Sequence, residues 1–247
     1  MRPLRLVLPL AVLAVLVVIV GCESSSRSSR SRSGSWDSQL GAVPVERKVA
    51  PVALLGEVRL RQDMIRPGTV GRRYKRPMNV RYITIHSTQN YTGDAYNHAL
   101  ALKRGALRAQ KRRGGNRIGF LTWHFTVQDN VAIQHLPTNE QGEHADFDGP
   151  GNNYSIGIEM CEHRGNNLAQ TIDRTAKLTA YLMYEHGLSI DRVVPHYHWP
   201  RRGLNPPNKN CPHFLLENGR PGATWRWFKA RVQAHYNRIV PGPVPRI

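Results

Sequence analysis

Seven residues, Ser155 to Cys161, read SIGIEMC, and few conformations suit them. Apolar side chains at 156, 158 and 160 alternate with Gly157, Glu159 and Cys161, the period of a β-strand with one face in a core. Ile156, Ile158 and Met160 are expected to point inward, which leaves Glu159 facing a cleft. Glu162 has the core-side parity and is expected at the strand end. Val80 to His86 (VRYITIH) reads as a second buried strand that ends in a histidine. Trp123–Gln128 and Val131–Leu136 read as two strands joined through Asp129-Asn130, a hairpin signal.

Three stretches have helical spacing. Thr92 to Arg113 carries Tyr96, Leu100 and Leu107 on one face and meets Gly114-Gly115. Leu168 to His186 carries Ile172, Ala176, Thr179 and Met183 and is stopped by Gly187. Trp225 to Ile239 carries Trp225, Phe228, Val232 and Tyr236. Strands interleaved with helices predict an α/β fold, a single domain with a central mixed β-sheet flanked by helices.

The expected organisation is a leader over 1–22, a tether and lead-in over 23–75, and the compact domain over 76–240. Arg2 and Arg5 precede an apolar run from Leu6 to Val20, and Gly21-Cys22 follows. Basic start, apolar run, small residue and cysteine stand in the order of a lipoprotein signal, with Cys22 as the lipidated residue. Residues 23–36, ESSSRSSRSRSGSW, lack apolar periodicity and read as a flexible tether; residues 37–75 read as loosely packed. The chain has 35 Lys+Arg against 17 Asp+Glu, a formal charge of +18. That balance favours anionic partners. Nucleic acid is not expected among them, because no nucleic-acid motif is present and many basic residues sit in the leader and linker. The three cysteines, Cys22, Cys161 and Cys211, are too few for a disulfide framework. Cys161 reads as a small structural residue.

Chemistry concentrates in three segments: His86 at the end of YITIH, His196 and His198 in VVPHYHW, and Lys209 and Cys211 in NKNCPHF. Zinc accepts imidazole nitrogen and thiolate sulfur, and catalytic zinc commonly has three protein ligands. Residue chemistry alone does not select ligands among eleven histidines. In an extended segment, His196 and His198 would share a face.

These segments, with RPG, WHFTV, QHLPTNE and NNYSIGIEMCE, occur in the order found in the type 2 N-acetylmuramoyl-L-alanine amidase family, and the chain resembles that family from Arg66 to Phe228. The resemblance implies zinc held by His86, His196 and Cys211, with no organic cofactor. It implies Glu159 as general base and Lys209 as oxyanion stabiliser. The substrate it implies is peptidoglycan, cut between N-acetylmuramic acid and L-alanine. Anhydro-muropeptide turnover and a non-catalytic peptidoglycan receptor are the alternatives. His124, His144 and His198 are expected to contact substrate. Two positions depart from the family pattern: Trp123 stands where some relatives carry Tyr, and Glu143 replaces the Trp of a Trp-His-Ala motif that His144 matches. The expected protein is a monomer, lipid-anchored through Cys22 at the cell envelope and facing the periplasm. Glu23 rather than Asp after Cys22 leans it towards the outer membrane where two membranes exist.

Labelling cells with a palmitate analogue should mark the wild type and leave Cys22→Ser unmarked. Label that persists in the variant would refute the lipidated cysteine.

Overall fold

The structure is a computed structural model and describes residues 32–109 and 118–247. The leader, Cys22 and tether residues 23–31 lie outside the described residues. Six strands form one mixed sheet: β1 (Leu60–Gln62), β2 (Tyr82–Ser87), β3 (Phe125–Val127), β4 (Ala132–Gln134), β5 (Ser155–Met160) and β6 (Val193–Pro195), in the order β1-β4-β3-β5-β2-β6. Among these described strands the β3–β4 pair is antiparallel and the other pairs are parallel. The helices are α1 (Arg32–Leu40), α2 (Pro51–Val58), α3 (Ala95–Arg104), α4 (Pro150–Tyr154), α5 (Leu168–His186) and α6 (Ala223–Asn237).

Alternation along the central strands divides the sheet into two faces. Ile83 and Ile85 of β2, Phe125 and Val127 of β3, and Ile156, Ile158 and Met160 of β5 enter one large core with α2, α5 and α6. The opposite face carries Thr84, His86, Thr126, Gly157 and Glu159. Part of it is covered by α3, where Ala95 and Ala99 pack with Val131, Ile133 and Cys161. Cys161 is fully buried there, in keeping with a structural role.

α5 has the expected bounds because its apolar stripe and its stop agree. Ile172, Ala176, Thr179 and Met183 are buried, and Gly187 takes a left-handed conformation that receives the terminal carbonyls. α3 is shorter than its sequence implies. Asp94 and Asn97 form a reciprocal capping box at its start, and Gly105, at φ 60°, ends it. A Cβ at Gly105 would lie 2.6 Å from Val70 Cγ2, so both conformation and space require glycine. The buried face of α3 is Ala95, His98, Ala99 and Leu102, whereas Tyr96 and Leu100 are exposed. Tyr96 and Leu100, expected on its inner face, thus lie on its outer face, and Leu107 lies beyond its end.

The lead-in is part of the domain, contrary to the expected boundary at 76. Leu54 and Val58 of α2 are completely buried in the main core. β1 pairs with β4, Leu60 opposite Ala132. Arg174 of α5 donates to the carbonyls of Glu57 and Val58 at 2.9 and 2.8 Å, and to that of Asp129 at 2.7 Å. A cation thus caps the C-terminal end of α2 and ties it to the hairpin turn. The tether also ends early: residues 32–36 begin α1, Trp36 packs against the core, and Trp227 Nε1 donates to Asp37 Oδ1 at 2.5 Å. A Ser/Arg-rich run becomes helical here because Trp36 gains tertiary burial that propensity does not register.

Leu54→Ala should lower the unfolding free energy by about 2–5 kcal/mol in urea titration. Val52→Ala, on the exposed side of the same helix, should change it by no more than about 0.5 kcal/mol. Equal small effects would return residues 51–58 to a loosely attached lead-in.

Candidate metal centre and catalytic cleft

β2 and β5 lie side by side in parallel register, with His86 opposite Glu159 and Ser87 opposite Met160. Both side chains of the first pair therefore project from the face opposite the main core. His86 Nδ1 lies 3.8 Å from Glu159 Oε1. His196 arrives from the end of β6, the other neighbour of β2. Cys211 comes from an irregular segment held against β2, where Ser87 N–H donates to its Sγ at 3.3 Å. One ligand-capable atom each from His86, His196 and Cys211 fall within 4.8 Å of one another, and all three residues are buried.

Hydrogen bonds select which imidazole nitrogens face that point. His144 Nε2 lies 3.2 Å from the Ser155 carbonyl and therefore carries the proton. Its Nδ1 then accepts from His86 Nε2 at 3.0 Å. His86 Nδ1 is left with a lone pair, buried and without a protein partner. His196 repeats the pattern: Nε2 donates to the Ala145 carbonyl at 3.2 Å, and Nδ1 has no protein partner. Two imidazole lone pairs and a thiol thus converge, each imidazole oriented through its other nitrogen, as is usual for metal-ligating histidines.

Burial holds His86 well below the ordinary histidine range, and the nearby His196, His144 and Lys209 act in the same direction. Burial and then Lys209 push His196 down to about 3, against the Ala145 hydrogen bond. Both rings are neutral and keep their lone pairs. Burial and the Glu159 charge push the Cys211 thiol up to about 12, against Lys209 and the Ser87 amide. Such a thiol needs a nearby cation to ionise. The donor set of two imidazole nitrogens and one sulfur suits zinc.

Of these groups His196 lines a cleft of about 290 Å³, whose walls also include Trp123, His144, Glu159 and Lys209. Glu159 Oε2 is buried without a protein partner. Burial pushes this carboxyl up to about 7, with Lys209 opposing and Glu162 adding to the rise.

The three histidines expected to contact substrate, His124, His144 and His198, have different surroundings. His124 is fully buried; Gly157 N–H donates to its Nδ1 at 2.9 Å and its Nε2 donates to the Glu140 carbonyl at 2.7 Å. It joins two backbone segments. His144 does line the cleft, but both its nitrogens are engaged, so it orients His86. His198 lies in a short 3₁₀ turn with His196, not in an extended segment. The turn sets the exposed His198 against Trp199, ring centroids 4.5 Å apart, and His198 is not among the cleft walls.

Several features escape sequence reasoning. Asn152 Oδ1 accepts from the backbone N–H groups of His144 and Ala145 at 2.8 and 2.7 Å, so it shapes the loop that supports both imidazoles. Glu143 is buried in an ion pair with Arg76. Trp123 donates through Nε1 to Thr126 Oγ1 at 2.7 Å and so offers the cleft its carbon surface. Arg108, Phe147 and Leu204 complete the walls from irregular segments that carry no periodic signal. Gly157 has a legible signal, a glycine inside a β-branched strand. A Cβ there would lie 2.8 Å from the His144 ring.

The sequence profile of the N-acetylmuramoyl-L-alanine amidase family, type 2, matches residues 76–214, more than half of the chain. The chain belongs to this family. XlyA, an N-acetylmuramoyl-L-alanine amidase of Bacillus subtilis (strain 168), is 38% identical over 178 residues, covering 71% of this chain and 51% of the relative. CwlH, another N-acetylmuramoyl-L-alanine amidase of that organism, is 37% identical over 141 residues, covering 56% of this chain and 49% of the relative. The chain thus spans about half the length of the curated relatives it matches. The solved catalytic domain of XlyA matches with a TM-score of 0.56 at 38% identity, covering 70% of this chain and 99% of that one. The type 2 amidase profile begins after α2 and β1, although both are integral to the fold of this chain.

Gly157→Ala should force His144 out of position and cost about 1–3 kcal/mol in denaturant unfolding. A variant as stable as the wild type would show that the ring has room to move.

Proposed function

We propose that this type 2 amidase hydrolyses the amide between the lactyl group of N-acetylmuramic acid and L-alanine in peptidoglycan, with zinc held by His86, His196 and Cys211. The observation that carries the reading is the convergence of two imidazole lone pairs and a thiol, with one of those imidazoles, His196, lining the same cleft as Glu159 and Lys209. The names of XlyA and CwlH, both N-acetylmuramoyl-L-alanine amidases, support the substrate.

Zinc bound there supplies a Lewis acid for the scissile carbonyl and lowers the pKa of a water molecule. Glu159, with Oε2 unengaged by protein, accepts a proton from the attacking water and delivers it to the departing alanine nitrogen. Lys209 faces the same cleft and stabilises the negative charge that develops on the carbonyl oxygen. His144 holds the His86 ring, and the Ala145 carbonyl holds the His196 ring. Trp123 contributes no hydroxyl, so proton transfer rests on Glu159.

The leader extends the proposal. Cleavage before Cys22 and lipidation of that residue would anchor the enzyme to a membrane, with the outer membrane favoured by Glu23 where two exist. The order of basic start, apolar run, glycine and cysteine supports this reading.

Mass spectrometry of digested sacculi should detect stem peptides with a free L-alanine amine, and the purified protein should contain about one zinc per chain. Glu159→Gln should retain zinc and fold but lose about 10²-fold or more in turnover. Cys211→Ser should lose zinc and activity together. Sacculi cut at another bond would sink the substrate assignment; full zinc content in Cys211→Ser would sink the ligand set.

A further inference from the structure

Strand parity sends Glu162 to the end of β5 with no chemical role, but its carboxylate joins two separate parts of the metal centre. Its side chain is only 6% exposed. Oε1 accepts the Gln89 backbone N–H at 2.5 Å, and Oε2 lies 3.4 Å from His213 Nε2. Gln89 belongs to the turn just after His86, and His213 to the turn just after Cys211. The end of β2 and the turn after it meet the Cys211 segment at three further points. Ser87 N–H donates to Cys211 Sγ at 3.3 Å, Gln89 Nε2 donates to the Asn210 carbonyl at 3.2 Å, and Ser87 Oγ lies 3.4 Å from His213 Nδ1.

The sheet holds the first segment only as far as Thr88, whose N–H donates to the Met160 carbonyl at 3.0 Å. β2 ends at Ser87, and Cys211 lies in an irregular segment before a short 3₁₀ turn at His213–Leu215. Gln89 has φ 50°, a left-handed conformation that disfavours non-glycine residues and needs a compensating contact. A carboxylate accepting its N–H is such a contact, stronger than a neutral acceptor would be.

We propose that Glu162 is a positioning residue whose carboxylate clamps the turn after His86 to the turn after Cys211, and so sets the separation of those two zinc-ligating groups. The inference rests on the zinc assignment above and adds a residue outside the ligand set. Glu162 is neither in the ligand set nor among the cleft walls. It acts through the Gln89 amide on one side and His213 on the other. Outer partners of this kind orient ligands, and their loss commonly weakens metal binding by about 10–100-fold.

The test is the zinc dissociation constant of the full chain, measured by competition with a chromophoric chelator. Glu162→Ala should bind zinc about 10–100-fold more weakly than the wild type. Glu162→Gln retains an acceptor oxygen for Gln89 and a polar group towards His213, and should recover most of the affinity. A purely structural carboxylate would alter thermal unfolding of the chelator-stripped protein without this selective change in zinc affinity. His213→Ala, which removes only one side of the clamp, should weaken zinc binding to an intermediate degree, and it carries the test if Glu162→Ala does not fold. Wild-type zinc affinity in a folded Glu162→Ala, or in His213→Ala, overturns the clamp while leaving the ligand set intact. A wild-type protein that binds no zinc overturns the ligand set and the clamp with it.

Discussion

Six residues of β2 pair in parallel with six of β5, setting His86 opposite Glu159 in the interior of the sheet. Side chains of facing residues in adjacent strands project to the same side, so this register places a candidate ligand and a candidate proton carrier on one face. The opposite parity of both strands, Ile83, Ile85, Ile156 and Ile158, is completely buried in the main core. A slip of one residue would turn these isoleucines to the cleft and send His86 or Glu159 into hydrocarbon. Burial of the four isoleucines, each about 1.5–3 kcal/mol, is thus the force that holds the polar face in place.

The polar face works by refusing water. His86, His196 and Cys211 have lost solvent, and burial keeps both rings neutral and the thiol protonated in the absence of a cation. An unpaired charge in this environment would be expensive, whereas a divalent cation with three ligands replaces the lost solvation. The outer hydrogen bonds give the centre its direction. Two carbonyls, those of Ser155 and Ala145, are sufficient to turn both Nδ1 atoms inward, the first acting through His144.

The support reaches well beyond the residues shared with the family profile. α2 and β1 fill one end of the sheet, and Arg174 binds the last carbonyls of α2 to the hairpin turn. Any tether to a membrane must therefore end before Arg32, where α1 begins, since Trp36 already packs on the core. The region matched by the family profile and the lead-in share one core and one sheet rather than being joined by a loose strap.

Strand alternation in SIGIEM and helical spacing from Leu168 to His186 were legible from sequence because apolar residues repeat with the period of the element that buries them. The same alternation predicted the cleft-facing orientation of Glu159. The choice of His86, His196 and Cys211 came from resemblance, since imidazoles and thiols have no periodicity that marks a ligand. Tertiary structure decided the rest. It made His124 a backbone cross-link, His144 a support for His86, and His198 an outer residue, because each role depends on carbonyls, amides and turns remote in sequence. It drew residues 51–62 into the core through a partner strand and an arginine that local composition does not announce. It also gave Glu162 two partners, Gln89 and His213, that meet only after β2 and the Cys211 segment have folded together. Local pattern carries the direction in which a side chain points. What that side chain meets is set by the packing of distant segments.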